Sequence, residues 1–402
     1  MNYRPFSTVE TAPPDPILGL TEAYRKDANA QKVNLTSGVY MDESGVNPVL
    51  RSVKQAERML LELENTKDYL GMGGDESYAR AVQRFMLGAQ HPVVTEGRAA
   101  TVQTPGGTGA LRVGGEFLRT QFPGATMWVS DPTWPNHHGI FKNAGLKVDT
   151  YPYYDAATHG LKFGAMLAAL EQIPDGDIVL LHGCCHNPTG VDPTPDQWDQ
   201  LVALFVRRPI IAFVDFAYQG FGRGVEEDAY AVRAFASAGL ELVITSSFSK
   251  NFGLYRERVG ALTVVTGSSK EVSAVLSRVK LTIRANYSNP PAHGAKVVEL
   301  VFSEAELRKL WEQEVVEMRD RIHEMRRLFV ETLKKYGVKR NFDFLMDQQG
   351  MFSFSGIGKE EVIRLRERYG IYLVENGRIN VAAMTRARMD YICQSIAGVL
   401  QG

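Results

Sequence analysis

Lys250 stands in Ser247-Phe-Ser-Lys-Asn-Phe-Gly-Leu-Tyr-Arg-Glu-Arg258-Val-Gly260, a segment that begins where the apolar run Leu242 to Ser246 ends. A lysine at the end of such a run, in largely apolar company, is partly desolvated, and its neutral amine becomes accessible as nucleophile and base. Ser247 and Arg258 flank it with groups suited to a phosphate. Asp215 closes a second apolar run, Ile210 to Val214, with Ala217-Tyr218 just beyond. A carboxylate after a buried strand needs a cationic or hydrogen-bonding partner. Asn187-Pro-Thr-Gly190 closes the run containing Leu181, and Trp134 and His137 follow the run ending at Ser130. Singly, Asp215 reads equally well as a helix cap, Trp134 as core and His137 as a satisfied histidine. Together they bring an acid, an amide, an indole, an imidazole and a lysine to one sheet edge.

Thr104-Pro-Gly-Gly-Thr-Gly-Ala110 follows another run and precedes a helix expected from about Leu111. Glycines at a strand-to-helix turn let backbone N–H groups approach a phosphate, and a helix N-terminus adds a favourable dipole; a plain tight turn is the alternative. The segment is neither a nucleoside-triphosphate loop nor Gly-x-Gly-x-x-Gly, because Arg112 fills the last position, so a dinucleotide site is disfavoured. His182, Cys184 and His186 alternate along an extended stretch, which invites a zinc reading. No second Cys/His cluster supplies further ligands, and Cys184 and Cys185 read better as buried apolar residues.

The elements that must hold these groups are legible as periodicity. Between about Ala99 and Val265, short apolar runs alternate with helical patterns: 99–103, 126–130, 177–182, 210–215, 242–246 and 261–265. Continuous apolar strands separated by helices predict a parallel sheet covered on both faces, with ligands beyond the carboxyl ends of its strands. From Glu304 to about Tyr336 one long helix is predicted, because Trp311, Val315, Met318, Ile322, Met325, Phe329 and Thr332 recur at four- and three-residue steps. Packing on its own protein is the favoured role of that seam, a coiled coil the alternative. A strand pair around 351–355 and 378–382 and a final helix from about Thr385 predict a second, smaller α+β domain, which the segment through about Gly45 can join. The expected division is an arm over 1–14, a small domain from 15–46 and 320–402, and a large domain over 47–319 that carries the parallel sheet.

The chain has 402 residues, 45 Lys+Arg against 46 Asp+Glu, and 44% apolar content. That composition excludes a disordered chain and gives no electrostatic case for nucleic acid or an anionic membrane. No apolar run approaches a membrane span. Residues 1–16 lack the basic start and apolar stretch of a secretory signal. Three cysteines, two of them adjacent, form no disulfide framework. The expectation is a cytoplasmic protein.

The whole constellation resembles the class I aminotransferases, pyridoxal 5′-phosphate enzymes of fold type I, and within them the aspartate subgroup. The lysine segment matches the family motif throughout. Further family-like stretches are Pro105-GGTGALR-Arg112, Asp131-PTWPNH-His137, His182-GCCHNPTG-Gly190, Asp215-FAYQGF-Phe221, Arg284-ANYSNPP-Pro291 and Gly377-RIN-Asn380. The resemblance runs from about Pro16 to the final helix. It implies a large domain with a mostly parallel central sheet covered by helices, plus the smaller α+β domain. It implies that Lys250 holds the cofactor covalently and, once displaced by substrate, moves a proton between the substrate α-carbon and the cofactor. Asp215 is implied to pair with the pyridinium nitrogen, with His137 supporting that carboxylate. Tyr218 and Asn187 would bond the phenolic oxygen, and Trp134 would stack on the ring. Gly107, Thr108, Ser247 and Arg258 would form the phosphate cup, joined by Tyr69 from the other subunit of a homodimer.

The resemblance also assigns two carboxylate clamps. Arg378, with the backbone at Gly38, matches the residue that forks onto the α-carboxylate. Arg284 matches the one that reaches across the dimer to the distal carboxylate of aspartate or glutamate. Guanidinium groups suit carboxylates through two parallel hydrogen bonds; without the motif, a structural salt bridge would be the default for each. Thr36-Ser37, Met41 and Asp68 depart from the common pattern near the mouth of the site. The implied activity is amino transfer from L-aspartate to 2-oxoglutarate. An aromatic-amino-acid aminotransferase of the same subgroup is the alternative, since that subgroup keeps the second arginine. A non-catalytic scaffold that keeps the fold is the alternative of another class.

Overall fold

The computed structural model describes residues 4–12 and 17–401. Part of the arm expected over 1–14, namely 1–3 and 13–14, lies outside the described residues, as do Pro16, where the resemblance starts, and residue 15.

Seven strands form the central sheet: β1 (Ala99–Pro105), β2 (Thr126–Asp131), β3 (Lys147–Pro152), β4 (Ile178–His182), β5 (Ile211–Phe216), β6 (Leu242–Ser247) and β7 (Val259–Val265). Their spatial order is β1-β7-β6-β5-β4-β2-β3. β7 runs antiparallel to both its neighbours, and every other pairing is parallel. β4, β6 and β7 are buried at every position, as expected for strands covered on both faces. The sheet is thus mostly parallel, with one reversed strand. β3 was not foreseen. Its residues Lys147, Asp149 and Thr150 are exposed at the sheet edge, so it carries no apolar run to read.

The register fixes the chemistry. His182, Asp215 and Thr245 lie side by side at the carboxyl ends of β4, β5 and β6, and Ser247 on β6 pairs with Gly260 on β7. Helix α1 (Gly106–Gln121) leaves β1 at once. It starts five residues earlier than the sequence predicts, because the glycine-rich stretch forms its first turn rather than a separate loop. The later helices that matter here are α2 (Asn136–Asn143), α3 (Ser269–Asn286) and α4 (Ala305–Lys335).

There are two large apolar cores besides the layer under α1. All seven residues of the predicted α4 seam are buried, so the seam packs inward on its own protein. Trp311, Val315, Met318 and Ile322 belong to the larger core, whereas Met325 and Phe329 belong to the second. One helix therefore runs continuously from one core into the other. The second core also takes Val33 and Leu35, whose segment pairs in parallel with Ile371–Tyr372. It takes Ile379 too, from the antiparallel pair Phe352–Phe354 and Arg378–Asn380. The final helix spans Arg386–Gln401.

Candidate active site

A cavity of about 390 Å³ opens at the carboxyl ends of the parallel strands. Asp215, from the row already described, lines its floor. Asp215 Oδ2 lies 3.0 Å from His137 Nε2, and Thr245 Oγ1 donates to Oδ1 at 3.4 Å. His137 comes from α2 and is fully buried; its Nδ1 lies 2.8 Å from Thr133 Oγ1, which sits 3.2 Å from His182 Nε2. Burial alone would push the Asp215 carboxyl up, but the His137 hydrogen bond and the His137 and His182 rings outweigh it and hold it below its usual value. Burial draws His182 down to about 3, so this imidazole is neutral at ordinary pH. The floor is a carboxylate kept ionised inside the protein, a state that only partnered acids sustain.

Lys250 follows β6. Its amine lies 5.7 Å from the centre of the Tyr218 ring and 5.2 Å from that of Tyr255. Burial first, then the Arg258 and Arg378 guanidinium groups against the opposing pull of Asp215, brings its pKa down to about 8. A lysine so placed has a sizeable neutral fraction near pH 8, which an ordinary surface lysine lacks. Tyr218 is buried and its hydroxyl is raised well above the ordinary phenol value, chiefly by burial; Asn187 Nδ2 donates to it at 3.4 Å.

One end of the cavity is a cradle for an anion. The first turn of α1 presents Gly107 and Thr108, with Ser247 and Arg258 opposite. Arg258 has φ +55° and donates through Nη1 to Tyr255 O at 2.9 Å; no carboxylate pairs with it among the described residues. The glycines here are dictated by space. Gly106 has φ +75°, and a Cβ on it would stand 2.6 Å from Arg258 Nη2, while a Cβ on Gly260 would meet the Gly106 carbonyl carbon at 2.5 Å. Free helical N–H groups, a hydroxyl and an unpaired guanidinium match a phosphate in charge and in donors.

Arg378 occupies the other end. It is buried, its Nη2 donates to Thr36 O at 2.7 Å and its Nη1 to Asn187 Oδ1 at 3.4 Å, while Nε has no partner. The Phe352 ring centre lies 4.4 Å from its guanidinium carbon. Burial draws its pKa down to about 10, still charged near neutrality. A buried cation with an unused donor is a ready binding site for a carboxylate, which accepts from it.

The family model for "Aminotransferase class I and II" matches residues 30–396. The chain belongs to that family. The chain is 52% identical over 395 residues to the aspartate aminotransferase of Escherichia coli K12, covering 98% of this chain and 100% of that protein. It is 49% identical over 394 residues to the aromatic-amino-acid aminotransferase of Pseudomonas aeruginosa, covering 98% of each. Among solved structures, an aromatic-amino-acid aminotransferase from Burkholderia pseudomallei, described as covalently bound to pyridoxal phosphate, superposes with a TM-score of 0.96 at 50% identity, covering 99% of this chain and 100% of that one. The cytoplasmic aspartate aminotransferase of Saccharomyces cerevisiae gives 0.95 at 38%, covering 99% and 98%. The fold is that of these aminotransferases, fold type I, and the chain is an enzyme of their kind.

Eleven residues singled out from the sequence line this aminotransferase's cavity: Gly38, Gly107, Thr108, Trp134, Asn187, Asp215, Tyr218, Ser247, Lys250, Arg258 and Arg378. His137 acts from behind Asp215. Two do not reach the cavity of this single chain. Tyr69 is 92% exposed, and Arg284 is an exposed residue of α3 whose guanidinium donates to Ser288 Oγ. The cavity also takes Ile17, Leu111, Asn136, Ser249 and Phe352, which sequence reasoning did not assign to the site. Asn136 and Ser249 lie inside motifs that were quoted and were within reach; Ile17, Leu111 and Phe352 are apolar and carry no chemical signal. Among the described residues, neither His182 nor His186 belongs to a cluster of three candidate metal ligands. His186 is held by Ser130 and Thr189 at 2.9 and 2.8 Å, with the Tyr153 ring stacked on it at 3.9 Å. Cys184 and Cys185 are buried, and burial raises both thiols.

Proposed function

We propose that this aminotransferase moves the amino group of L-aspartate to 2-oxoglutarate, giving oxaloacetate and L-glutamate by a ping-pong route, as a cytoplasmic homodimer with pyridoxal 5′-phosphate as cofactor. The observation that carries the reading is the meeting, in one cavity, of a desolvated amine, an ionised buried carboxylate and two guanidinium groups without acid partners. The donor set fits the cofactor at each functional group. The α1 N-terminus, Ser247 and Arg258 suit its phosphate, Asp215 its ring nitrogen, Asn187 and Tyr218 its phenolic oxygen, Trp134 its ring face and Lys250 its aldehyde.

When bound, the cofactor supplies an electron sink that stabilises negative charge at the substrate α-carbon. Each step of the protein's own is positional or protonic. Arg378 takes the α-carboxylate, aided by the backbone at Gly38, and orients the α-hydrogen toward Lys250. The Lys250 amine, neutral in part near pH 8, would take the proton from the substrate α-carbon and carry it to the bound cofactor. His137 keeps Asp215 ionised, which would favour a protonated ring nitrogen on the cofactor. Arg284 and Tyr69 act from the partner subunit, on the distal carboxylate and the phosphate. Their exposure, like that of the apolar Leu61, Leu63 and Leu281, is in keeping with burial against a second copy. The second core supports a small unit drawn from 15–46 and 320–402 beside a large unit of 47–319, although Tyr40, Ile322, Met351, Phe352 and Ala382 pack into the larger core.

Relatives named for aspartate and for aromatic amino acids are both near, so substrate choice needs its own test. Comparing kcat/KM for aspartate, tyrosine and phenylalanine decides it. A clear preference for aspartate is expected, and a clear aromatic preference overturns this reading in favour of the aromatic one. A purified protein without the visible absorbance of bound cofactor would point to a scaffold instead.

A further inference from the structure

A second cavity, of about 420 Å³, lies beside α4 where that helix passes from the larger core into the smaller one. Arg326, His323, Gln348 and Gln349 line it. Arg326 is only 2% exposed, yet its hydrogen bonds go to neutral groups: Nη2 donates to Gly350 O at 2.6 Å and Nε to Ser353 Oγ at 3.4 Å. No carboxylate pairs with it among the described residues, and burial draws its pKa down to about 10. The two acids on the cavity lining are engaged by other arginines, Asp320 with Arg319 at 3.2 Å and Glu324 with Arg386.

Three buried polar atoms without partners belong to this lining: His323 Nε2, Gln348 Oε1 and Gln349 Oε1. Both glutamine amides are oriented by their nitrogens, which donate to Phe354 O at 3.4 Å and Asp347 O at 3.5 Å, so each leaves an oxygen without a donor. Burial lowers the His323 pKa, which keeps that ring neutral. Buried polar groups in folded proteins are nearly all partnered, and a buried cation without an anion is costly. The missing partners are complementary: an anion for the guanidinium, and O–H or N–H donors for the amide oxygens. Arg378 at the main cavity is likewise a buried guanidinium bonded only to neutral groups, there with its Nε unpartnered as well.

We propose that this cavity is a ligand site separate from the catalytic one, and that it takes a small carboxylate bearing a hydroxyl or amino group on the adjacent carbon, with the carboxylate on Arg326 and the donor group on Gln348 and Gln349. A ligand there sits behind the segment that carries Phe352 against Arg378, at the passage between the two cores.

The test is a saturation-transfer NMR titration of the holoenzyme with L-lactate, glycine and acetate, repeated on two variants. In the wild type, at least one of lactate and glycine should bind about fivefold more tightly than acetate, which lacks the donor group. Lactate alone assigns hydroxy acids, glycine alone amino acids, and both together the shared chemistry. Arg326→Gln should remove this binding and leave only what the Arg378 clamp of the catalytic cavity holds. The double variant His323→Leu/Gln349→Leu guards against misfolding of the first. It should lose about fivefold in affinity for lactate or glycine but less than twofold for acetate, with kcat for aspartate unchanged. Equal affinity for all three probes, or the same affinities in wild type and double variant, overturns the proposal, whatever the catalytic site is found to do.

Discussion

Replacing Arg378 by lysine keeps the charge and removes the fork. The guanidinium spends Nη2 on Thr36 O and Nη1 on Asn187 Oδ1 and keeps Nε unpartnered. A planar group so anchored can offer two parallel N–H donors to a carboxylate, whereas an ammonium offers a single point. The loss is then one charge-assisted hydrogen bond in a buried site, about 1.5–3 kcal/mol. At about 1.4 kcal/mol per factor of ten, kcat/KM should fall roughly 10- to 150-fold. Because every amino-acid substrate carries the α-carboxylate, the fall should be equal within about twofold for aspartate and phenylalanine. Single-turnover half-reactions, followed by the cofactor's absorbance change, measure both. A loss confined to aspartate, or one below about threefold on both substrates, refutes the assignment of Arg378.

Charge reversal at the other clamp should discriminate where Arg378 does not: Arg284→Asp is expected to cut kcat/KM for dicarboxylates by at least a hundredfold more than for neutral substrates, and equal losses count against its role. In cofactor-free protein the Lys250 pKa near 8 lies below that of the unfolded chain, about 10.4. The unfolded chain therefore binds more protons between pH 8 and 10, and stability from this group rises with pH through that window. Urea denaturation of the apoprotein should show that rise, and Lys250→Met should flatten it. Gly106→Ala places a Cβ at φ +75° and 2.6 Å from Arg258 Nη2, so the cofactor Kd should rise at least tenfold; an unchanged Kd would mean that the cup tolerates the shift.

What could be read in advance follows from the physics of each element. β4, β5 and β6 announced themselves because strands covered on both faces are unbroken apolar runs, and their last residues delivered Asp215 and Ser247 to the right edge. β3 was silent because an edge strand with exposed Lys147 and Asp149 has neither run nor strict alternation. The reversal of β7 leaves no trace in composition, since direction is set by the connection and not by the residues. The α1 start was read late because glycine lowers helix propensity, while here Gly106 and Gly107 are required by the approach of Arg258 and Ser247. Phe352 was missed for a different reason. A phenylalanine laid on a guanidinium looks in sequence like any core residue, and only the antiparallel pairing of 352–354 with 378–380 brings the two together. Tyr69 and Arg284 were legible through resemblance alone, because their proposed work lies in a neighbouring subunit's cavity.

The most direct test of the central claim is borohydride reduction of the cofactor-loaded enzyme followed by peptide mapping. The account predicts one pyridoxyl-labelled peptide, carrying the label on Lys250, with no label when aspartate has first converted the cofactor to its amine form. A label on another lysine, or none at all in the untreated enzyme, would contradict it.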